Sequence, residues 1–139
     1  MIVLDTNVVS EPMKPNGNPA VQAWLDQQAA ETLYLTTTSL SELLLGIEIL
    51  PDGKRKEGLA AALSELVVRL FGSRVLSFDQ QAAMAYAPLI GRARTSGCLV
   101  SVADGQIAAI AAVHGFIVAT RDTAPFVAVG VPVINPWEE

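Results

Sequence analysis

The 139-residue chain has one cysteine, Cys98, and one histidine, His114. A lone cysteine excludes a disulfide framework, and the pair together excludes a zinc site built from several thiolates and imidazoles. A metal in this protein has to be held by oxygen. Long apolar runs are also lacking. Asp5 interrupts the opening Met-Ile-Val-Leu, no apolar signal core of ~7–15 residues follows a basic start, and nowhere do ~18 uncharged apolar residues run together. Neither a secretory signal nor a membrane span is expected, and the expected compartment is the cytoplasm.

Positive charge is scarce as well. Nine Lys and Arg stand against fourteen Asp and Glu, a net charge of −5. This balance argues against a tight stand-alone nucleic-acid binder, which needs a basic surface. It leaves room for a nuclease whose acids gather around divalent cations, and for a basic protein partner. With 51% hydrophobic residues the chain can still bury a core, and its length suits one domain over residues 1–139.

Short β-rich runs alternate with helix-period runs. Strands are expected at Ile2–Leu4, Leu33–Thr37, Arg74–Phe78, Phe116–Thr120 and Val131–Ile134. Helices are expected at Asn18–Ala30, with Asn18 as cap and Pro19 in the first turn, at Ser39–Leu50, and at Lys54–Phe71 with Gly72 as a stop. Asp79–Ser96 follows, capped by Asp79, with Pro88 expected to kink or split it. Val102–His114 ends at Gly115. Such alternation predicts a three-layer α/β/α sandwich around a mainly parallel five-stranded sheet.

Parallel sheets bind ligands at the carboxyl ends of their strands. Asp5 ends the first expected strand, and Asp122 lies just past the fourth. Glu42 falls in the first turn of the helix fed by the second strand, and Asp104 opens the helix leading to the fourth. Four carboxylates from distant segments are thus expected to converge. Carboxylates so gathered repel one another and raise each other's pKa values, a penalty that Mg²⁺ or Mn²⁺ removes through hard oxygen ligands. A metal there suits phosphodiester hydrolysis.

Each acid also has an ordinary explanation. Ser39-Leu-Ser-Glu42 and Ser101-Val-Ala-Asp104 both fit capping boxes. Asp122 could cap a short helix, and Asp5 could start a turn. Only their joint placement at strand ends favours a site.

The same residues carry a family resemblance. Ile-Val-Leu-Asp5-Thr6-Asn7-Val-Val-Ser-Glu resembles the opening of a PIN domain, and Thr-Ser-Leu-Ser-Glu42-Leu-Leu-Leu-Gly46 its second motif. Ala-Asp104-Gly-Gln-Ile-Ala-Ala and Ala-Thr120-Arg-Asp122, with Asn135-Pro136-Trp137 at the end, resemble the remainder. Order and spacing match over essentially the whole chain, most closely in VapC-type toxins of toxin–antitoxin pairs and their FitB-like branch.

The resemblance implies a Mg²⁺- or Mn²⁺-dependent endoribonuclease. Asp5 and Asp104 would be the principal metal ligands, Glu42 and Asp122 supporting ones, and Asn7 and Thr120 polar support. Relatives often carry Asn at the place of Asp122 and an acid three residues later; here that later residue is Pro125, which leaves the fourth charge to Asp122. The resemblance also implies a homodimer and a cognate antitoxin whose DNA-binding half represses a shared operon. A basic antitoxin arm would enter the acidic site, and Leu43, Leu44, Ile47 and Leu50 are candidates for its groove, though each also suits ordinary core packing. Two rivals remain: a PIN-like binding module that has lost hydrolysis, and a phosphoryl-transfer domain using Asp5 as nucleophile. The second wants another Asp two residues on, where Asn7 stands.

Overall fold

The computed structural model describes all 139 residues. Five strands, β1 (Ile2–Leu4), β2 (Leu33–Thr36), β3 (Val75–Leu76), β4 (Ile117–Ala119) and β5 (Val133–Ile134), form one sheet in the order β3-β2-β1-β4-β5. Every pairing is parallel, with Ile2 beside both Leu33 and Ile117, Leu4 beside Ala119, Leu35 beside Val75 and Ala119 beside Ile134. The chain leaves β1 on one side and returns to β4 on the other. The carboxyl ends of β1 and β4 therefore flank a topological switch, where such sheets bind ligands.

Except for β1, which has its expected bounds, the strands are shorter than the sequence suggests. Val118 N–H donates to Pro132 O at 2.9 Å, but Pro132 has no N–H to return, so β5 starts only at Val133. The outer strand β3 pairs on one side alone. Its expected end at Phe78 is already turning, with Asp79 N–H bonded to Ser77 O at 2.9 Å.

Seven α-helices cover the sheet: α1 (Thr6–Ser10), α2 (Pro19–Gln27), α3 (Thr37–Glu48), α4 (Lys54–Glu65), α5 (Gln80–Thr95), α6 (Val102–His114) and α7 (Ala124–Ala128). The sequence pattern did not predict α1, because its β-branched residues do not favour a helix. It forms because the Asp5 carboxylate accepts from Thr6 N–H at 2.7 Å and because Val8 and Val9 are buried. The expected helix from Ser39 instead starts at Thr37. Thr36, not Ser39, is its cap, and the Thr36 hydroxyl accepts from Ser39 N–H at 3.0 Å.

The expected helix at Lys54–Phe71 becomes α4 followed by a π-helical turn over Leu66–Phe71. The Arg74 guanidinium donates to Leu70 O at the end of this turn and, at 3.0 Å, to Leu33 O at the start of β2, tying the two together. Gly72, at φ +52°, stops it. Pro88 neither splits nor ends α5. Pro88 and Met84 four residues before it are both exposed, so water can reach the carbonyl that the proline leaves free.

Side chains of alternate strand residues point to opposite faces. Ile2, Leu4, Leu33 and Leu35 meet Val8, Val21, Trp24, Leu43, Leu63 and Phe71 in one core. Val3 and Val118 meet Ala93, Ile107, Ala108, Phe126 and Val129 in the other. These two cores make the expected three layers. Helix α6 is buried at Ile107, Ala108, Ala109, Ile110 and Ala111 in succession, as befits an element held between the sheet and α5. No helix is long and apolar enough to cross a membrane.

Candidate acidic site at the strand ends

Asp5 is 5% exposed. Its N–H bonds to Ala119 O at 2.9 Å, prolonging the pairing of β1 with β4 by one residue. Its carboxylate accepts from Thr6 N–H through Oδ1 and from the Thr120 hydroxyl through Oδ2, each at 2.7 Å. Burial nonetheless dominates and pushes its pKa up from 3.8 to about 6; the two hydrogen bonds oppose the shift, while repulsion from Asp104 and Glu42 adds to it.

Thr120 is fully buried at the end of β4. While its hydroxyl donates to Asp5, it accepts from Asp122 N–H at 3.1 Å and from Asn7 Nδ2 at 3.5 Å. Asn7 turns its other end outward, and its Oδ1 accepts from Arg121 N–H at 3.3 Å. Asn7 and Thr120 thus fix the segment that carries Asp122, while the Asp122 side chain is left exposed. Asp122 does not cap the short helix after it. Thr123 occupies that position.

Asp104 is the third residue of α6. Its N–H donates to the Ser101 hydroxyl at 3.1 Å, which is half of the expected capping box. The pKa of its half-buried carboxyl is raised, first by burial and then by the charges of Asp122 and Glu42, with the Ser101 side chain opposing. Glu42 lies in the second turn of α3 rather than the first, because the helix begins at Thr37. A capping box with Ser39 is excluded, and the Glu42 Oε1 instead accepts from the Thr6 hydroxyl at 2.6 Å.

The structure therefore brings Asp5, Glu42, Asp104 and Asp122 to one rim, where they repel one another. None is neutralised by a basic side chain, since the ion pairs of the chain engage Glu11, Asp52 and Glu65. No three Asp, Glu, His or Cys side chains come close enough together to chelate one ion. That spacing still fits Mg²⁺ or Mn²⁺, whose sites commonly take one or two carboxylates and fill the other positions with water. The donors are hard oxygens throughout, as such ions require.

Two positioning groups escaped the sequence reading. Thr6 links α1 to Glu42, and its only signal was its place between Asp5 and Asn7. Gln106 accepts from the Thr38 hydroxyl at 2.9 Å, tying α6 to α3 one turn before Glu42. Beside Glu42 lies a cleft of about 270 Å³ lined by Thr6, Lys14, Leu43, Ile47, Leu50 and Arg55 among others. Leu44, expected on that groove, instead faces solvent. A larger apolar groove of about 470 Å³, walled by Met13, Leu25, Leu59, Leu66 and Leu70, runs between α2 and α4.

A strand-end acid rim on a parallel sheet of this order defines a class, and comparison with known proteins agrees with it. The PIN domain model matches residues 2–131, and the chain belongs to the PIN-domain family. It is 50% identical over 138 residues to the VapC ribonuclease Y4jK of Sinorhizobium fredii, covering 99% of each chain. It is 45% identical over 139 residues to the toxin FitB of Neisseria gonorrhoeae, covering both completely. The solved structure of FitAB bound to an IR36 DNA fragment contains a chain 44% identical to it, with a TM-score of 0.95 over 99% of this chain and 96% of that one.

Proposed function

We propose that this protein is the toxin of a type II toxin–antitoxin pair, a divalent-metal-dependent endoribonuclease that hydrolyses RNA phosphodiester bonds. The observation that carries this reading is the set of four carboxylates, with Asp5 repelled by Asp104 and Glu42 and Asp104 by Asp122 and Glu42, unpaired by any cation of the chain, at the switch point of the sheet. The names of its relatives, a ribonuclease and a toxin, support the same activity.

In this reading Asp5 and Asp104 are the principal ligands of a Mg²⁺ or Mn²⁺ ion. When bound, the ion lowers the pKa of water and stabilises charge on a phosphoryl oxygen. Glu42 and Asp122, both exposed, orient the attacking water and accept its proton. Thr120 and Thr6 hold the Asp5 carboxylate so that neither oxygen swings away from the rim, and Thr6 also steadies Glu42. Preorganisation of this kind spares the reorganisation that flexible carboxylates in water require.

The cognate antitoxin would place an Arg or Lys among the four acids and exclude the metal, favoured by the net charge of −5. Its apolar portion suits the cleft beside Glu42 and the groove between α2 and α4. Operator DNA would be bound through the antitoxin, consistent with the FitAB–DNA complex. The toxin would act in the cytoplasm as a homodimer.

Calorimetry with Mn²⁺ on the antitoxin-free protein tests the reading. The wild type should bind and cleave RNA in Mn²⁺, and Asp5→Asn should lose both activities while remaining folded. A folded wild type that binds no Mn²⁺ would overturn the nuclease reading in favour of a protein-binding module.

A further inference from the structure

Next to Asp122 stands a cation that no carboxylate of the protein pairs with. Arg121 lies between buried Thr120 and the acid Asp122, and it is exposed. Its backbone N–H is held by Asn7, but its guanidinium has no carboxylate within ion-pair distance. The nearby acid that feels its charge, Glu11, is buried and already taken by Lys14 at 3.1 Å and by Asn18 N–H at 3.2 Å.

What holds Arg121 is an aromatic face. Its guanidinium carbon stands 5.4 Å from the centre of the Trp137 ring, within the ~6 Å range of a cation–π contact. Trp137 is itself fixed. Thr120 N–H bonds to Ile134 O at 2.9 Å, so the end of β5 is tied to the end of β4. Trp137 N–H then donates to Asn135 Oδ1 at 3.0 Å, and the ring, like Ile134, packs against the core built on Ile2, Leu4 and Leu33. The terminal Asn135-Pro136-Trp137 is thus a shelf that holds the guanidinium of the residue next to Asp122 with its N–H donors free. A planar fork of donors so presented matches a phosphate.

We propose that Arg121 binds a backbone phosphate of the RNA next to the one being cleaved, with Trp137 as the residue that positions it. The assignment rests on the nuclease reading for its substrate class. It gives the strand a fixed cationic contact next to the acid rim, setting its register across the site.

Fluorescence anisotropy with a short labelled single-stranded RNA of mixed sequence tests this over a range of salt, using protein carrying Asp104→Asn to prevent cleavage. Replacing Arg121 by Gln in that background should weaken binding roughly tenfold at low salt. It should also lower the slope of log affinity against log salt by ~0.7, the value of one lost phosphate contact on a single strand. Arg121→Lys should preserve the slope. Trp137→Leu should weaken binding, and adding Arg121→Gln to it should cost less than in the presence of the tryptophan. In the otherwise wild-type chain, Arg121→Gln should leave Mn²⁺ binding unchanged. An unaltered salt slope in the Gln variant would overturn the proposal even if affinity fell, since a purely structural arginine would behave that way. A variant that weakens only the complex with a protein partner would assign Arg121 to that partner instead. Absent Mn²⁺ binding by the wild type would remove the nuclease reading itself, whereas Mn²⁺ binding without RNA binding would remove only the role of Arg121.

Discussion

A carboxyl group that nears neutrality in the fold weakens the fold. Asp5 has its pKa raised from 3.8 to about 6, so between these values the native state holds a proton that the unfolded chain has released. Stability then falls as pH rises through that window, and above it the ionised Asp5 costs about 3 kcal/mol. Asp5→Asn should therefore raise the thermal midpoint at pH 7 in a chelating buffer, with the gain shrinking toward pH 4. Asn keeps an acceptor for Thr6 N–H, although the Thr120 hydroxyl loses its best partner and offsets part of the gain. Equal midpoints for the two proteins at pH 7 would mean that Asp5 is not strained by its surroundings. Such a gain in stability with a loss of activity is the usual mark of a functional residue.

At the same scale, the four acids were legible because strand ends and charge can be read together from the sequence. Thr6 and Gln106 were not. A hydroxyl or amide bridging two elements has no period and no spacing rule, and its partner lies 36 or 68 residues away. The position of Glu42 one turn deeper in α3 had the same origin, because three threonines and a serine in succession offered several caps, and only the end of β2 selects Thr36.

Among the elements, α6 packs tightly on α5 at Gly105. A β-carbon there would stand 2.7 Å from Tyr86 Cε2 and 2.8 Å from Ile90 Cδ1. Gly105→Ala should destabilise the protein by ~1–3 kcal/mol in urea unfolding, despite the better helix propensity of alanine. Because Asp104 is its neighbour, cleavage should fall as well. Pro88→Ala offers the opposite case: it restores a backbone donor to an exposed stretch of helix and should stabilise by up to ~3 kcal/mol. Stop and start signals such as Asn18, Asp79, Ser101 and Gly115 were readable since each acts through its immediate neighbours. The π-helical turn was not readable, because it depends on Arg74 arriving from beyond the turn to meet Leu70 and Leu33.

For the whole molecule, the alternation of strand and helix determined the layers, and run length with β-branched content marked the strands; which strand side chains enter which core was visible only in the fold. What the pattern could not show is which exposed apolar residues cluster. Leu44, Leu45 and Ile49 of the α3 region are 53%, 62% and 74% exposed, an arrangement expected of a surface that another chain covers. If they form the contact of the proposed homodimer, Leu45→Glu combined with Ile49→Lys should shift the sedimenting species from dimer to monomer without unfolding it. The excess of acid should also make capture of a basic antitoxin arm faster at low salt than at high salt, measurable by stopped flow.

Thr36 ends β2 and caps α3, and Asp5 follows β1 and caps α1, so neither strand is separated from its helix by a loop. An extra residue between Thr36 and Glu42 would turn Glu42 by about 100° about the helix axis, away from Thr6. The turn between α3 and α4, by contrast, carries none of the four rim acids and can lengthen without displacing them. Over evolutionary time such a chain can accept insertions at its periphery while the lengths of its two strand-to-helix junctions stay frozen.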